Sequence, residues 1–539
     1  MDAIPSEILS EIFKYLSFSE RQQMALVNTK WYYASIHPEF ARNEVFGYNE
    51  NAEKLDLTLG DDGLPSDLPI FNEFKSMLLN SKRKFFNLTF DGSLYVYRVF
   101  PIFKNLADYI VSVHINNLAR HTDMLLDAIL DCDKLEQLEF KGVGDLTYGN
   151  TTRQQILSLK RIYFEGANLT DFCFNNIMRC APNLEELGFE NCNILIWHQA
   201  IRRFYPNYKD SKKKQTFNSL DIFSYVNIVN YLETAKNIKT LRLGNNYHIF
   251  LNLPIHIKLV SLELNFKNLC FTRDYAKVGD KLSTMSTLEY LDLIHFPCCV
   301  LASCVPKLCN LKRLNAHYFL CGYQDECFSK VLNSLKNKKN LKELMMVSLE
   351  DSVPLEIPDC TLEKLTTYIG LTNVFKITRM SQNLTRLKIL NGDILTACDY
   401  KLIFKNLIGL QKLIIDHCFQ LDDNVFSDLP INNLKALNTL HLFHTKLTYQ
   451  CFKYINNKEL RKVWITDVSI EKCIELNDMS DFKNVLKAFS GFVPELTTLN
   501  IDILKENRSC QDIEVFSEIP MLISTVYNNF KKMKICSIN

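Results

Sequence analysis

The chain of 539 residues carries 62 lysines and arginines against 61 aspartates and glutamates, a formal net charge of +1. That balance leaves no global basic field to hold nucleic acid or an anionic membrane nonspecifically, so neither is expected as a partner. With 47% hydrophobic residues, 16 glycines and 15 prolines, wholesale disorder and collagen-like or linker-dominated architectures are excluded as well. The start, Met1-Asp2-Ala3-Ile4-Pro5, has no basic stretch followed by an apolar run, so a secretory signal is not expected. Phe296 to Val305, the longest weakly polar stretch, is about half a bilayer span and predicts no membrane segment. The 18 cysteines then read as reduced thiols of a cytoplasmic or nuclear protein, not as a disulfide framework.

Three short helices are predicted within the first forty residues. Pro5 sits in the first turn of one, with Glu7 at its positive dipole end, and Ile4, Ile8, Ile12, Phe13 and Leu16 make one apolar face by helical spacing. Ser17 to Glu20 fits a capping box that starts a second helix through Met24, Leu26 and Val27. Asn28 caps a third that carries Lys30, Trp31, Tyr32 and Ile36 and stops at His37-Pro38. So small a core needs a partner or an adjacent domain to cover its apolar surface. Residues 41–84 are expected as a bridge of loop and helix, the loop at Asp61 to Asp67 and the helix at Phe71 to Leu79.

From Phe85 to Ile501 an apolar-x-x-apolar-x-apolar pattern recurs. Its copies begin at Phe85, Ile110, Leu135, Leu159, Leu184, Phe217, Ile238, Leu259, Leu288 and Leu311. Leu341, Leu362, Leu384, Leu410, Leu437, Leu460 and Leu496 start the rest, seventeen in all and mostly 21 to 30 residues apart. One such triplet means nothing, but a near-regular series predicts an α/β solenoid over residues 85–505. Each repeat gives a short strand whose fourth and sixth positions point inward, then a turn and a helix packed behind it, and no unit buries its apolar face alone. Loop insertions are expected in the long gaps after Leu184, Leu259, Leu311 and Leu460, and residues 506–539 as a cap or tail on the open end.

Positions five and seven of each repeat should flank the inward-facing residues and point to the concave surface. The early repeats place Asp91, Glu139, Glu165, Glu190 and Asp221 there. The later ones place Met345, Val347, Tyr368, Leu390, Ile414, Phe443 and Trp464, with Lys364, Arg386, Lys412 and Lys462 at position three and Lys388 at position five. Apolar groups rimmed by cations make Tyr368, Arg386, Lys388, Leu390, Lys412, Ile414, Phe443 and Trp464 the candidate substrate-binding set, suited to a hydrophobic segment flanked by acidic or phosphorylated residues. A register off by one, or a loop or tail lying over these groups, is the alternative. Cys298, Cys299, Cys304 and Cys309 crowd near His295, but their spacing matches no zinc knuckle, so no metal site is expected. Lys212, Lys213 and Lys214, with Arg202 and Arg203, read as a solvated loop or a nuclear-localisation segment. No phosphate loop, nucleophile elbow or HExxH motif is present, so no catalytic residue is named.

Residues 3 to 40 resemble an F-box in Ile4-Pro5, Glu7-Ile8-Leu9, Ile12-Phe13, Tyr15-Leu16, Arg21, Leu26-Val27 and Lys30-Trp31. Ile4 replaces the usual leucine and Asn28 the usual cysteine. The best repeats, such as Leu410 to Cys418, resemble cysteine-containing leucine-rich repeats, with Cys192, Asn246 and Cys418 at the ninth position. The whole chain is therefore similar to the F-box and leucine-rich-repeat family, which implies a leucine-rich-repeat horseshoe behind a small three-helix F-box at residues 1–40. The resemblance implies a non-enzymatic substrate receptor of a Skp-cullin-F-box ubiquitin ligase, marking proteins for proteasomal degradation. By the family pattern Ile4, Pro5, Ile8, Leu9, Ile12, Leu16, Val27 and Trp31 form or support the Skp-adaptor interface, the cullin and RING subunit follow through that adaptor, and the repeats hold a protein substrate. Catalysis then amounts to proximity, and no cofactor is needed. A scaffold acting with the adaptor outside any ligase, and a small-molecule sensor like the plant hormone receptors of this architecture, are the alternatives.

Overall fold

A computed structural model describes residues 4–16, 18–37, 40, 44–49, 69–81, 85–92, 96–117, 123–143, 145–146, 155–195, 222–266, 274–317, 326–335, 338–347, 362–367, 383–393, 395–429, 431–471, 473, 479–503, 519–530, 532–533 and 535–538. The chain forms two compact units, Met1–Leu264 and Asn265–Asn539.

The first unit opens with α1 (Ser6–Phe13), α2 (Phe18–Ala25) and α3 (Thr29–Ser35). A parallel sheet follows, made of β1 (Val45–Asn49), β2 (Asn87–Asp91), β3 (Ser112–Asn116), β4 (Gln137–Lys141), β6 (Arg161–Glu165), β8 (Glu186–Glu190), β10 (Thr240–Arg242) and β11 (Ser261–Asn265), each paired with the next in that order. Behind the turns that leave this sheet, β5 (Asp145–Leu146), β7 (Asn168–Thr170) and β9 (Asn193–Leu195) make a second, narrower parallel ladder.

Burial explains why the triplets form strands. In β2 and β3 the fourth and sixth positions of the repeat, Leu88 and Phe90, then Val113 and Ile115, are buried, while Thr89 and His114 between them are only partly so. Phe140, Phe164 and Phe189 occupy the sixth position in three adjacent strands, with rings 5.8 and 5.7 Å apart and within 10° of parallel. The next residue but one must turn left-handed to leave the strand. Asn117, Gly142, Gly166 and Asn191 take it at φ of 59°, 58°, 63° and 51°, and glycine and asparagine are the residues that region tolerates best. A Cβ on Gly142 would lie 2.6 Å from Asn117 Oδ1, so packing between adjacent turns asks for glycine as well. Helices then return the chain. Thr170 caps Asp171–Cys180 by accepting from the Cys173 amide at 3.1 Å.

The second unit repeats this logic in β12 (Tyr290–Ile294), β13 (Arg313–His317), β14 (Glu343–Val347), β15 (Lys364–Thr367), β16 (Arg386–Ile389), β17 (Lys412–Ile415), β18 (Thr439–Leu442), β19 (Lys462–Val468), β20 (Thr498–Ile503) and β21 (Ile535–Ile538), again parallel neighbours in sequence order. Side chains tie each repeat to the one before it. Asn310 donates to the Ser286 carbonyl at 2.8 Å, the Lys338 ammonium to the Pro306 and Leu308 carbonyls at 2.8 and 3.0 Å, and Asn457 to the Leu434 carbonyl at 2.8 Å. These bonds exist only when the neighbour is present, as a nearest-neighbour stack requires.

Sixteen of the seventeen triplets lie on strands of the sheet. Phe217/Leu220/Ile222 does not: residues 217–221 lie outside the described residues, Ile222 heads the helix Ile222–Thr234, and β8 pairs directly with β10. Besides β5, β7 and β9, two strands of the long sheet stand where none was expected. The bridge at 41–84 holds β1, paired with β2, besides its helix Pro69–Asn80, and the tail at 506–539 holds the helix Ile519–Asn529 and β21, paired with β20. The long gaps after Leu259, Leu311 and Leu460 contain the helices Asp274–Ser283, Glu326–Leu335 and Ser480–Phe492, and the loop insertions expected there and after Leu184 fall largely on residues 196–221, 267–273, 318–325 and 474–478, outside the described residues. A longer repeat makes room for a full helix behind its strand.

Candidate functional site

In the first unit the apolar face expected of α1 is divided, Ile4, Phe13 and Leu16 turning to the bundle and Ile8 and Ile12 to solvent. Leu9 and Phe13, one helical turn apart, are 0% exposed and form a core with Ala34 and Phe40, against which Ile4, Leu16, Met24 and Trp31 pack partly buried. Phe13 meets the Trp31 ring edge to face at 5.6 Å. Asn28 caps α3 by accepting from the Trp31 amide at 2.9 Å, as its place in the sequence predicts. The capping box at Ser17 lies outside the described residues. Ile8 and Ile12, expected on that apolar face and named for adaptor contact, remain 51% and 46% exposed, and Pro5, Tyr15, Leu26 and Val27 are exposed with them. Leu9, named for adaptor binding, is thus a core residue that supports the helices: its stripe and that of Ile8 are both apolar, and α3 packs on the former.

Arg21 fastens this bundle to the sheet. Its guanidinium donates to the Leu16 carbonyl at 2.5 Å and to the Glu44 carboxylate at 2.6 Å and lies 4.9 Å over the Phe40 ring. The Glu44 carbonyl in turn accepts from Asn87 of β2 at 3.0 Å.

The outward rows of the two units differ in how their charges are met. In the first, Glu139 lies 2.5 Å from His114 and 3.0 Å from Lys141, and these partners, His114 foremost, hold its carboxyl down at about 2. Tyr163 donates to Glu190 at 2.7 Å, and Arg242 pairs with Glu186 at 2.9 Å. The acidic stripe is largely neutralised by its own neighbours. Asp221 lies outside the described residues.

In the second unit, pairing sets Lys364, Arg386, Lys412, Thr439 and Lys462 side by side in one row, and Thr366, Lys388, Ile414, His441 and Trp464 in the next. The register is the expected one: Leu387, Leu413 and Val463 between these rows are buried, so the named groups do face outward. Lys364 pairs with Glu343, but Arg386, Lys388, Lys412 and Lys462 have no acidic partner among the described residues. Lys364, Arg386, Lys388, Lys412 and Ile414 help line a shallow cavity of about 220 Å³. Beside it stands an edge-to-face trio, with Trp464 5.1 Å from Phe443 and 5.7 Å from His441, and the Trp464 indole donating to Asp502 at 3.1 Å. Leu390 and Ile414 are half-buried, and Tyr368 lies outside the described residues.

His441 escaped the sequence reading because a histidine at position five is neither apolar nor a fixed charge. Burial first, then Lys412 and Lys462, hold its imidazole down at about 4, so it is neutral near pH 7 and belongs with the aromatic pair. Its NMR titration is expected to show a midpoint near 4 and no protonation at pH 6. Because the folded value is depressed, its contribution to stability is full above the unfolded value of about 6.5 and is lost as pH falls toward 4. A midpoint above 6 would contradict this environment.

The cysteine group does not assemble. Cys298 and Cys304 are buried and Cys299 and Cys309 exposed on and after the helix Cys298–Cys304, and burial pushes the Cys304 thiol up to about 12. Lys212 to Lys214, Arg202 and Arg203 lie outside the described residues. At the ninth position, Cys192 and Cys418 donate to the Glu190 and Ile415 carbonyls at 3.2 and 3.3 Å, giving those turns a partner. Among the described residues, no helix is long and apolar enough to cross a membrane.

Residues 1–43 match the F-box-like family model. No curated protein matches the chain. Similar solved structures include a leucine-rich-repeat protein of Leptospira interrogans, at 15% identity over 91% of this chain and 99% of that one with a TM-score of 0.32. The yeast Rad7 and Elc1 complex is similar at 15% identity, 81% and 82% coverage and a TM-score of 0.33. The TLR13–ssRNA13 complex is similar at 14% identity, 85% and 80% coverage and a TM-score of 0.33. The repeat assignment stands on this chain's own strands, turns and ladders. F-box domains generally bind Skp-type adaptors, and F-box and leucine-rich-repeat modules are generally non-catalytic. The chain thus carries an F-box-like segment at its start and parallel strand–turn repeats behind it.

Proposed function

We propose that the chain is the substrate-recognition subunit of a Skp-cullin-F-box ubiquitin ligase. One observation carries the reading: a three-helix bundle that buries Leu9 and Phe13 leaves Pro5, Ile8, Ile12 and Val27 in solvent. Exposed isoleucines at helical spacing cost free energy unless a partner covers them. Pro5, Ile8, Ile12 and Val27 are assigned to direct adaptor contact, Ile4, Leu16 and Trp31 to its edge, and Leu9 to support. Cullin and RING subunit follow through the adaptor. Arg386, Lys388, Leu390, Lys412, Ile414, Phe443 and Trp464, joined by His441, are assigned to a substrate with acidic or phosphorylated residues beside an apolar segment. The adjoining cavity of about 220 Å³ is below the ~300–1,000 Å³ usual for small-molecule sites, which disfavours this cavity as a hormone-sized site.

The test is affinity purification of wild type beside an Ile8→Asp, Ile12→Asp variant, read by mass spectrometry. Two buried interface charges should weaken adaptor binding on the order of a hundredfold or more while the bundle stays folded. Loss of adaptor and cullin together supports the ligase. Adaptor without cullin in the wild type would favour a scaffold outside any ligase, and an adaptor equally retained by the variant would refute the assigned face.

A further inference from the structure

The turns that leave β17 and β18 carry a constellation that the F-box and repeat assignment does not use. Each turn places a histidine in the left-handed region, His417 at φ 56° and His444 at φ 53°, where a non-glycine residue is uncommon. Because the strands pair in register, two histidines 27 positions apart in sequence come together, with rings 4.7 Å apart and 20° from parallel. Asp416 joins them. Its Oδ1 lies 3.0 Å from His444 Nδ1 and 3.3 Å from His417 Nδ1 and accepts from the His417 amide at 3.0 Å. One donor atom from each of the three residues lies within 4.8 Å of the others.

The backbone holds these groups in place before any ligand arrives. Asp416 receives a hydrogen bond on its carbonyl from Gly392 at 2.7 Å and donates its own amide to Ile389 at 2.9 Å. The His444 amide donates to Thr466 Oγ1 at 2.8 Å. His417 Nδ1 is buried with no hydrogen-bond partner among the described residues, although the Asp416 carboxylate is beside it. A buried ring nitrogen in that state has a lone pair or a proton to satisfy.

We propose that Asp416, His417 and His444 bind a divalent first-row transition ion, zinc by the character of the ligands, with water completing the shell. Two imidazoles and a carboxylate suit such an ion better than magnesium or calcium, which prefer oxygen alone. Bonds of about 2.0–2.1 Å in a tetrahedron separate neighbouring donors by about 3.3 Å, close to the 3.0 and 3.3 Å already present. His444 is exposed while the other two are half-buried, so the open side faces solvent. The ion would clamp two successive turns and replace the ion pair that Asp416 makes when an imidazole is protonated.

The test compares the full chain with a His417→Asn, His444→Asn variant. Asparagine keeps the left-handed turns, as it does at Asn117 and Asn191. In equilibrium dialysis against Zn2+ at about pH 7.5, the wild type should retain one equivalent more than the variant. Zinc should also raise the wild-type melting temperature and not the variant's. Cobalt in place of zinc should give d–d bands without thiolate charge transfer, which separates this site from the cysteines. Asp416→Asn is a second variant that keeps both histidines; it should bind at least tenfold more weakly. Equal zinc content and equal thermal shifts in wild type and variants would overturn the site, as would a difference spectrum with thiolate character.

Discussion

Phe164→Ala is expected to destabilise the first unit by about 3–5 kcal/mol. The Phe164 ring is 0% exposed and stands between Phe140 at 5.8 Å and Phe189 at 5.7 Å, nearly parallel to both. Removing it opens one cavity against two repeats, and neither neighbour can close it without leaving its own strand register with β6. A stack whose stability is a sum of nearest-neighbour interfaces loses two interface terms at once. The denaturation midpoint should fall sharply, and amide exchange should speed up in β4, β6 and β8 together. Phe164→Leu should recover most of the loss. By contrast Phe419→Ala, at a 40% exposed ring, should cost under about 0.5 kcal/mol. A Phe164→Ala cost below about 1 kcal/mol would mean the ladder is not packed as described.

The ladder was legible because one spacing serves all repeats: the fourth and sixth positions must be apolar whichever neighbours a strand has. The misses have local causes. β1 carries Phe46 and Tyr48 at those positions, but Asn43 where the triplet needs an apolar residue. β21 fits as Met533/Cys536/Ile538 once the cysteine is counted as a small hydrophobe, which its partial burial supports. Phe217/Leu220/Ile222 has the right spacing, yet β8 pairs directly with β10 and Ile222 belongs to a helix. In α1 both stripes, Leu9–Phe13 and Ile8–Ile12, are apolar, and sequence alone does not say which one α3 covers. The Asp416, His417 and His444 group was invisible for another reason: no local spacing links residues that only strand pairing brings together.

Arg386→Glu, Lys388→Glu, Lys412→Glu is expected to reduce capture of the proteins held by the second unit by a factor of roughly 30 or more at low salt, with adaptor binding unchanged. Arg386 and Lys412 are direct cross-strand partners, Lys364 is next in their row, and Lys388 lies two residues along from Arg386. Like charges placed opposite one another cost stability, on the order of 0.2–1 kcal/mol per pair, and among the described residues no acid relieves Arg386, Lys388 or Lys412. A row that carries this cost without internal pairing is suited to an anionic partner, whereas the first unit spends its charges on itself. Stability and binding should therefore move in opposite directions. Arg386→Gln alone should leave the melting temperature unchanged or slightly higher while weakening capture several-fold, and raised salt should weaken wild-type capture more than that of the glutamate variant. Captured proteins would be quantified by mass spectrometry against the Ile8→Asp, Ile12→Asp variant, which removes the adaptor and keeps this surface. An unchanged captured set in the triple variant would move substrate binding off β15 to β19, and a drop in melting temperature for Arg386→Gln would show that these cations hold the fold instead of a partner.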